Sequence, residues 1–159
     1  MAIFEEIQRV PKAWFLAPLA PAALVGVAAL AGEPMRGTDL LIGAAVLGLI
    51  ACWMSSLALI TKVSEQEVTI HYRGLFKTRR VPIDAIRSAG ARTYRPILEY
   101  GGWGIRLGRS GWAYNASGNR GVQLEIDGAR PLLIGSGRPE ELARAITSSG
   151  NYRNRQPAA

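Results

Sequence analysis

The sequence predicts a membrane-anchored α+β protein, with a pair of apolar helices followed by antiparallel strands and one C-terminal helix. Apolar residues make up 48% of the 159 residues, whereas charged residues make up only 19%, below the roughly 25% of a typical soluble domain. Two runs, residues 13–32 and 40–61, contain no charged side chain and no histidine. After the second run, apolar and polar residues alternate along short segments, which is typical of strands. These observations argue against a simple soluble globular protein.

Both uncharged runs are long enough to cross a membrane as helices, since a hydrocarbon core requires roughly 20 apolar helical residues. In the first run, Pro18 and Pro21 remove backbone donors and are expected to bend the helix or to start it there. A buried helical hairpin is disfavoured because the remaining chain is too short to enclose two such helices. A signal peptide cleaved near Ala31 is disfavoured because Glu5 and Glu6 neutralise the leading basic residues.

The distribution of basic residues predicts how the two spans are oriented. Basic side chains precede the first span and are frequent after the second, whereas the connecting loop at 33–39 has only Arg36. Both termini are therefore predicted to be cytoplasmic. Within residues 1–12, apolar side chains recur at helical spacing, which predicts a short amphipathic helix at the interface. These side chains are Ile3, Phe4, Ile7 and Val10.

Small residues repeat every four positions in the second span and form a predicted helix-packing face. They are Ala44, Gly48, Cys52 and Ser56, and Ala22 with Gly26 gives a shorter version in the first span. Small side chains on one face allow a neighbouring helix to approach closely within a bilayer. The neighbour is either the other span of this chain or a helix of another membrane protein.

Residues 62–150 are predicted to form a cytoplasmic domain of short antiparallel strands. Val68, Ile70 and Tyr72, for example, alternate with polar residues, and glycine-containing turns separate such segments. Seven strands are predicted, at 63–73, 75–82, 86–95, 102–108, 111–116, 121–127 and 130–135.

One helix is predicted to close this domain. Pro139 suits its first turn, and Glu140 and Glu141 complement the positive end of the helix dipole. The apolar face is formed by Leu142, Ala145 and Ile146, and the helix ends at Ser149 and Gly150. Residues 151–159 are polar and are predicted to form a flexible tail.

Seven strands followed by one helix is the order of a pleckstrin-homology-like (PH-like) barrel, and several passages carry the resemblance. They are Tyr72-Arg73-Gly74-Leu75-Phe76, Arg80-Val81-Pro82-Ile83, Gly111-Trp112-Ala113-Tyr114-Asn115, Ser117-Gly118-Asn119-Arg120-Gly121-Val122 and Leu133-Ile134-Gly135-Ser136. On these passages the chain resembles small bacterial membrane proteins in which two transmembrane helices precede a PH-like domain. The resemblance covers residues 40–148 and implies a seven-stranded antiparallel barrel capped by the C-terminal helix. It also implies that the protein lies at the inner membrane of a bacterium. It implies little about function, because such barrels have lipid-binding, peptide-binding and structural roles.

Basic residues after the second span form a predicted site for anionic lipid headgroups. Residues 62–159 contain 16 Lys or Arg and 8 Asp or Glu, and each basic residue near an anionic leaflet contributes about 1 kcal/mol of attraction. The candidate residues are Lys62, Arg73, Lys77, Arg79 and Arg80. The resemblance adds that Lys77 and Arg79 match part of the cluster with which PH domains bind phosphoinositides. The alternative is ordinary enrichment of basic residues on the inner side of a membrane.

The sequence offers no recognisable catalytic or metal-binding constellation. Cys52 and His71 are the single residues of their types, so neither a disulfide scaffold nor a Cys/His metal site is expected. No cofactor, nucleic acid or small-molecule substrate is expected. The predicted function is a non-enzymatic accessory or scaffold subunit of a larger membrane protein complex, whose partners are membrane lipid and another integral membrane protein. The alternative is a membrane-anchored module that binds anionic lipid headgroups through basic loops.

Overall fold

A computed structural model describes residues 2–11 and 37–149 of the chain. The first predicted span at 13–32, with Ala22 and Gly26, lies outside the described residues, as does the predicted tail at 151–159. The chain divides into two compact units. One comprises Met1–Arg9 and Ala58–Ala159, and the other comprises Val10–Leu57.

The described elements are nine strands and three α-helices, with one short 3₁₀ turn at Ile83–Ala85. The strands are β1 (Phe4–Arg9), β2 (Ala58–Val63), β3 (Glu67–Arg73), β4 (Lys77–Pro82), β5 (Ile86–Thr93), β6 (Gly104–Gly108), β7 (Gly111–Asn115), β8 (Arg120–Ile126) and β9 (Leu132–Gly135). The helices are α1 (Gly37–Ser56), α2 (Pro96–Tyr100) and α3 (Pro139–Thr147).

The first sheet contains β1, β2, β3 and β4 in that order, with all neighbours antiparallel. Arg9 at the end of β1 lies opposite Ala58 at the start of β2, so the sheet is continuous across the point where Val10–Leu57 is inserted. Alternate side chains face the core, because successive residues of a strand point to opposite faces. The buried face carries Leu59, Thr61, Val63, Val68, Ile70, Tyr72 and Val81.

The second sheet has the order β5-β8-β9-β7-β6, in which only β7 and β9 run parallel. Its strands β8 and β9 approach closely at Gly121, where an added Cβ would lie 2.3 Å from the carbonyl oxygen of Ile134. Helix α3 packs mainly against β5 and β8. Its apolar face is fully buried at Leu142 and Ile146, so this helix completes the core of the sheet unit.

The predicted amphipathic helix within residues 1–12 is wrong, because Phe4–Arg9 forms β1. Phe4 is buried opposite Val63, whereas Ile7 on the other face is 56% exposed. Pairing with β2 supplies backbone hydrogen bonds along the whole segment, and such tertiary pairing outweighs a weak local helical period.

The predicted membrane span over 40–61 is also wrong. Helix α1 ends at Ser56, and the last residues of the predicted span belong to β2. At the end of the helix the hydroxyls of Ser55 and Ser56 donate to the carbonyls of Cys52 and Trp53. Beyond it the alternating segment Ala58–Val63 pairs with β3. In the described part of the chain, no helix has the length and apolarity that crossing a membrane requires.

The predicted seven-stranded barrel is wrong as well. The two sheets, of four and five strands, are not closed into a barrel, and the predicted strand at 63–73 is the end of β2 together with the whole of β3. The described architecture is α+β, with two sheets and three helices. The resemblance to membrane-anchored PH-like proteins is therefore wrong, and the membrane-protein description that followed from it has no support.

Candidate functional site

Helix α1 exposes an unusual amount of apolar surface. Its large side chains are between 38% and 72% exposed at Leu41, Ile42, Val46, Leu49, Ile50 and Trp53. At 3.6 residues per turn, all of these except Leu41 fall on one side of the helix. We call Ile42, Val46, Leu49, Ile50 and Trp53 the bulky face.

The predicted small-residue positions of α1 also lie at the surface. Ala44, Gly48 and Cys52 are exposed, and Cys52 is a free thiol. An added Cβ at Gly48 would have no other heavy atom within 4 Å. Ser56 is half-buried, and its hydroxyl donates to the carbonyl of Trp53 at 2.7 Å. Among the described residues, the predicted packing face is thus not in close contact with a neighbouring helix.

The five predicted headgroup-binding residues do not form one site. Lys62 lies on the outer face of the first sheet and pairs with Glu5 at 2.9 Å. Arg80 lies on the same face, and its Nε is 3.8 Å from a carboxylate oxygen of Glu67. Arg73 ends β3 opposite the buried Ala58.

The remaining two residues, Lys77 and Arg79, belong to the opposite face of the sheet. They pair with the buried residues Tyr72 and Ile70 of β3, and the guanidinium carbon of Arg79 lies 5.9 Å from the centre of the Tyr114 ring. The pleat of β4 therefore separates Arg79 from Arg80, although they are adjacent in sequence. A headgroup bound at one face cannot contact all five side chains.

A buried polar network in the second sheet was not predicted. Asn115 is fully buried; its Nδ2 donates to the Tyr94 hydroxyl at 3.0 Å, and its Oδ1 accepts from the backbone N–H of Gly104 at 2.8 Å. The Tyr94 ring meets the Tyr100 ring edge-on, with centroids 6.1 Å apart. The sequence did contain a signal for this network. Asparagine is disfavoured inside a strand, yet Asn115 is the last residue of the otherwise apolar strand β7.

Arg92 extends this network to the short helix α2. Its guanidinium donates to Glu99 at 2.9 Å and to the Tyr100 hydroxyl at 3.0 Å. Burial raises the pKa of Tyr94 and Tyr100 above their ordinary values, and the Asn115 and Arg92 contacts oppose that rise. The phenols therefore stay protonated, and the network fixes α2 against the sheet rather than supplying an ionised nucleophile.

A second polar contact joins the N-terminal strand to the start of α3. The carboxylate of Glu6 accepts from the Ser136 hydroxyl at 2.5 Å and from the Gly137 N–H at 2.8 Å. Arg138 donates to the carbonyl of Glu5 at 3.0 Å, and its guanidinium lies 4.9 Å from the centre of the Phe4 ring. These contacts hold β1 to the turn before α3, which is a structural role.

The described residues contain no cluster of three or more side chains suited to hold a metal ion. His71 lies half-exposed on β3, with its Nδ1 2.8 Å from the Thr78 hydroxyl on β4. The most distinctive features are thus two surfaces, the apolar surface of α1 and the basic strand β4. Comparison of the chain with protein-family models, with curated proteins and with solved structures finds no match.

Proposed function

We propose that this protein is a non-enzymatic accessory subunit that docks on a larger protein assembly through α1. The observation that carries the proposal is the bulky face, where five apolar side chains lie together at the surface. Burying one large apolar side chain contributes about 1.5–3 kcal/mol of favourable free energy. A partner that covered this face would therefore be bound with a substantial favourable free energy. Contiguous exposed apolar patches commonly mark interaction sites.

The burial pattern supports a role for α1 outside the sheet unit. No described residue of Val10–Leu57 is buried, and the buried core residues all belong to β1 or to the chain from Ala58 onward. Since Arg9 pairs directly with Ala58, the first sheet is continuous without the inserted unit. The bulky face of α1 is thus exposed in the described structure and is available to a partner.

The expected partner contributes apolar helices to the contact. After Asp39 in its first turn, α1 has no charged residue, so the bulky face offers no charge for an acidic or basic partner to recognise. Knobs-into-holes packing between apolar helix faces fits both its bulky and its small side chains. A helix-lined groove or helical bundle on the partner protein is the complementary surface.

The test uses Cys52, which is exposed on α1, as the attachment point for a short photo-crosslinker in the full chain. The expected result is one dominant protein product, with the crosslink in an apolar helix of the partner. Replacing Leu49 and Trp53 together by Ser should abolish that product. The matched control is Leu107→Ser on β6, since Leu107 and Trp53 are both 50% exposed.

Two outcomes would overturn this function. The first is a crosslinked product that persists in the Leu49→Ser, Trp53→Ser variant as fully as in the Leu107→Ser control. The second is a label captured only by detergent, by lipid or by a second copy of this chain. A cysteine placed at the exposed Arg130, in a Cys52→Ser background, measures nonspecific capture.

A further inference from the structure

Among the described residues, strand β4 lies at an edge of the first sheet. The order β1-β2-β3-β4 gives β4 a single described strand partner, β3. The backbone groups of Lys77–Val81 that point away from β3, together with the Pro82 carbonyl if it does so, have no described strand partner and could pair with an added strand. Proteins commonly recognise extended peptides by adding them to such an edge, where backbone hydrogen bonds supply affinity and side chains supply specificity.

The charged residues of β4 itself are all basic, whereas the acidic residues Glu67 and Asp84 lie near its C-terminal end. Residues 68–83 contain Arg73, Lys77, Arg79 and Arg80 and no acidic residue. Lys77 and Arg80 are exposed, and Arg79 is half-buried against Tyr114. Glu67 at the start of β3 approaches Arg80 only to 3.8 Å, and both side chains are substantially exposed. An edge of this kind attracts an acidic segment.

The same charges exclude other occupants of the edge. A second copy of β4 would place Lys and Arg beside Lys and Arg, and like charges on neighbouring strands destabilise their pairing. Lys77 and Arg79 lie on the face opposite to Arg80, so a flat anionic lipid surface lying against one face of the sheet cannot contact all three. An added strand has side chains on both faces, because its own residues alternate.

We propose that β4 binds an extended acidic segment of a partner protein as an added strand of the first sheet. The segment's backbone pairs with the open side of β4, and its carboxylates lie beside Lys77, Arg79 and Arg80. The hairpin tip before β4 adds an apolar contact, since Phe76 is 88% exposed and has a left-handed φ of 51°. This site belongs to the sheet unit, so it stands or falls independently of docking through α1.

The test uses a capped synthetic peptide, Thr-Val-Glu-Glu-Thr-Glu, which is the charge complement of β4 read in the antiparallel direction. Titration into the full chain should give saturable binding that weakens with added salt. Hydrogen exchange should show new protection at amides within Lys77–Val81 that do not pair with β3. Two further peptides are N-methylated at alternate residues, one at the odd and the other at the even positions. At least one of them should bind about tenfold more weakly than the unmodified peptide, because N-methylation removes its backbone hydrogen bonds to β4.

Charge variants locate the contact. The double variant Lys77→Gln, Arg80→Gln should bind the peptide about tenfold more weakly, and Arg79 is left in place because it packs on Tyr114. The control Arg130→Gln, Arg144→Gln removes the same net charge from exposed positions elsewhere and should bind normally.

Three results would overturn the proposal. The first is equal binding of the native and of both N-methylated peptides, which would show attraction by charge alone. The second is binding without new protection of amides within Lys77–Val81, which would place the peptide elsewhere. The third is binding of phosphatidylglycerol vesicles that depends on Lys77 and Arg80 while the peptide fails to bind, which would assign the edge to lipid.

Discussion

Replacing Asn115 by alanine removes the centre of the buried polar network and tests how much it stabilises the second sheet. The side chain is fully buried and makes two hydrogen bonds, to Tyr94 at 3.0 Å and from Gly104 at 2.8 Å. A buried polar group left without a partner costs about 1–3 kcal/mol. Tyr94 is only 2% exposed and would suffer that cost in full, whereas the half-buried Gly104 recovers part of it from water.

The free energy of unfolding is therefore expected to fall by about 2–4 kcal/mol in Asn115→Ala, which includes the small cavity left behind. For a chain of 159 residues, this corresponds to a loss of roughly 4–16 °C in Tm. Urea titration followed by far-UV circular dichroism measures the free energy, and a thermal scan measures Tm.

The matched control is Asn119→Ala, because the side chain of Asn119 is exposed and its loss should cost less than about 0.5 kcal/mol. Tyr94→Phe removes the other partner, and the double variant should show a coupling of at least about 0.5 kcal/mol between the two positions. If Asn115→Ala and Asn119→Ala unfold at the same urea concentration, Asn115 does not stabilise the sheet as argued.

Two further predictions concern α2 and the contact between β8 and β9. Desolvation raises the pKa of Glu99, but hydrogen bonds from the Arg95 N–H and from Arg92 outweigh it and hold the pKa below its ordinary 4.5. The stabilisation is thus present above that value and is lost as the pH falls through the folded-state pKa. The unfolding free-energy difference between wild type and Glu99→Gln should be largest near about pH 7 and should shrink below pH 4.5, and a constant difference would contradict the ion pair. Gly121→Ala should lower the free energy of unfolding by about 1–3 kcal/mol, because its Cβ meets backbone of β9. Gly90→Ala, which has open space around its Cβ, should leave it unchanged or raise it by up to about 1 kcal/mol, and equal effects of the two substitutions would refute the close approach.

Local patterns in the sequence located much of the secondary structure. The predicted strands at 75–82, 86–95, 102–108, 111–116, 121–127 and 130–135 each coincide with one of the strands β4 to β9. The predicted C-terminal helix coincides with α3, which begins at Pro139. These features depend on residues a few positions apart, through alternation within a strand, glycine at turns and proline in a first helical turn, so they can be derived without the rest of the fold.

The pairing of distant segments was decided only by the tertiary structure. β1 joins β2 across the whole inserted unit, and the order β5-β8-β9-β7-β6 places β7 parallel to β9. Residues 40–61 have one uniform apolar character, yet the chain changes from helix to strand after Ser56 because β3 supplies the partner for Ala58–Val63. No local period encodes such partners.

The same limit applies to the candidate sites. The sequence by itself determined that α1 is apolar and that the chain around β4 is basic. It did not reveal that the bulky face of α1 is exposed, that Arg79 and Arg80 lie on opposite faces of the first sheet, or that Asn115 is buried against Tyr94. Each of these facts depends on which strand or helix lies next to the residue, and that neighbour is set by hydrogen bonds and burial between segments far apart in the chain.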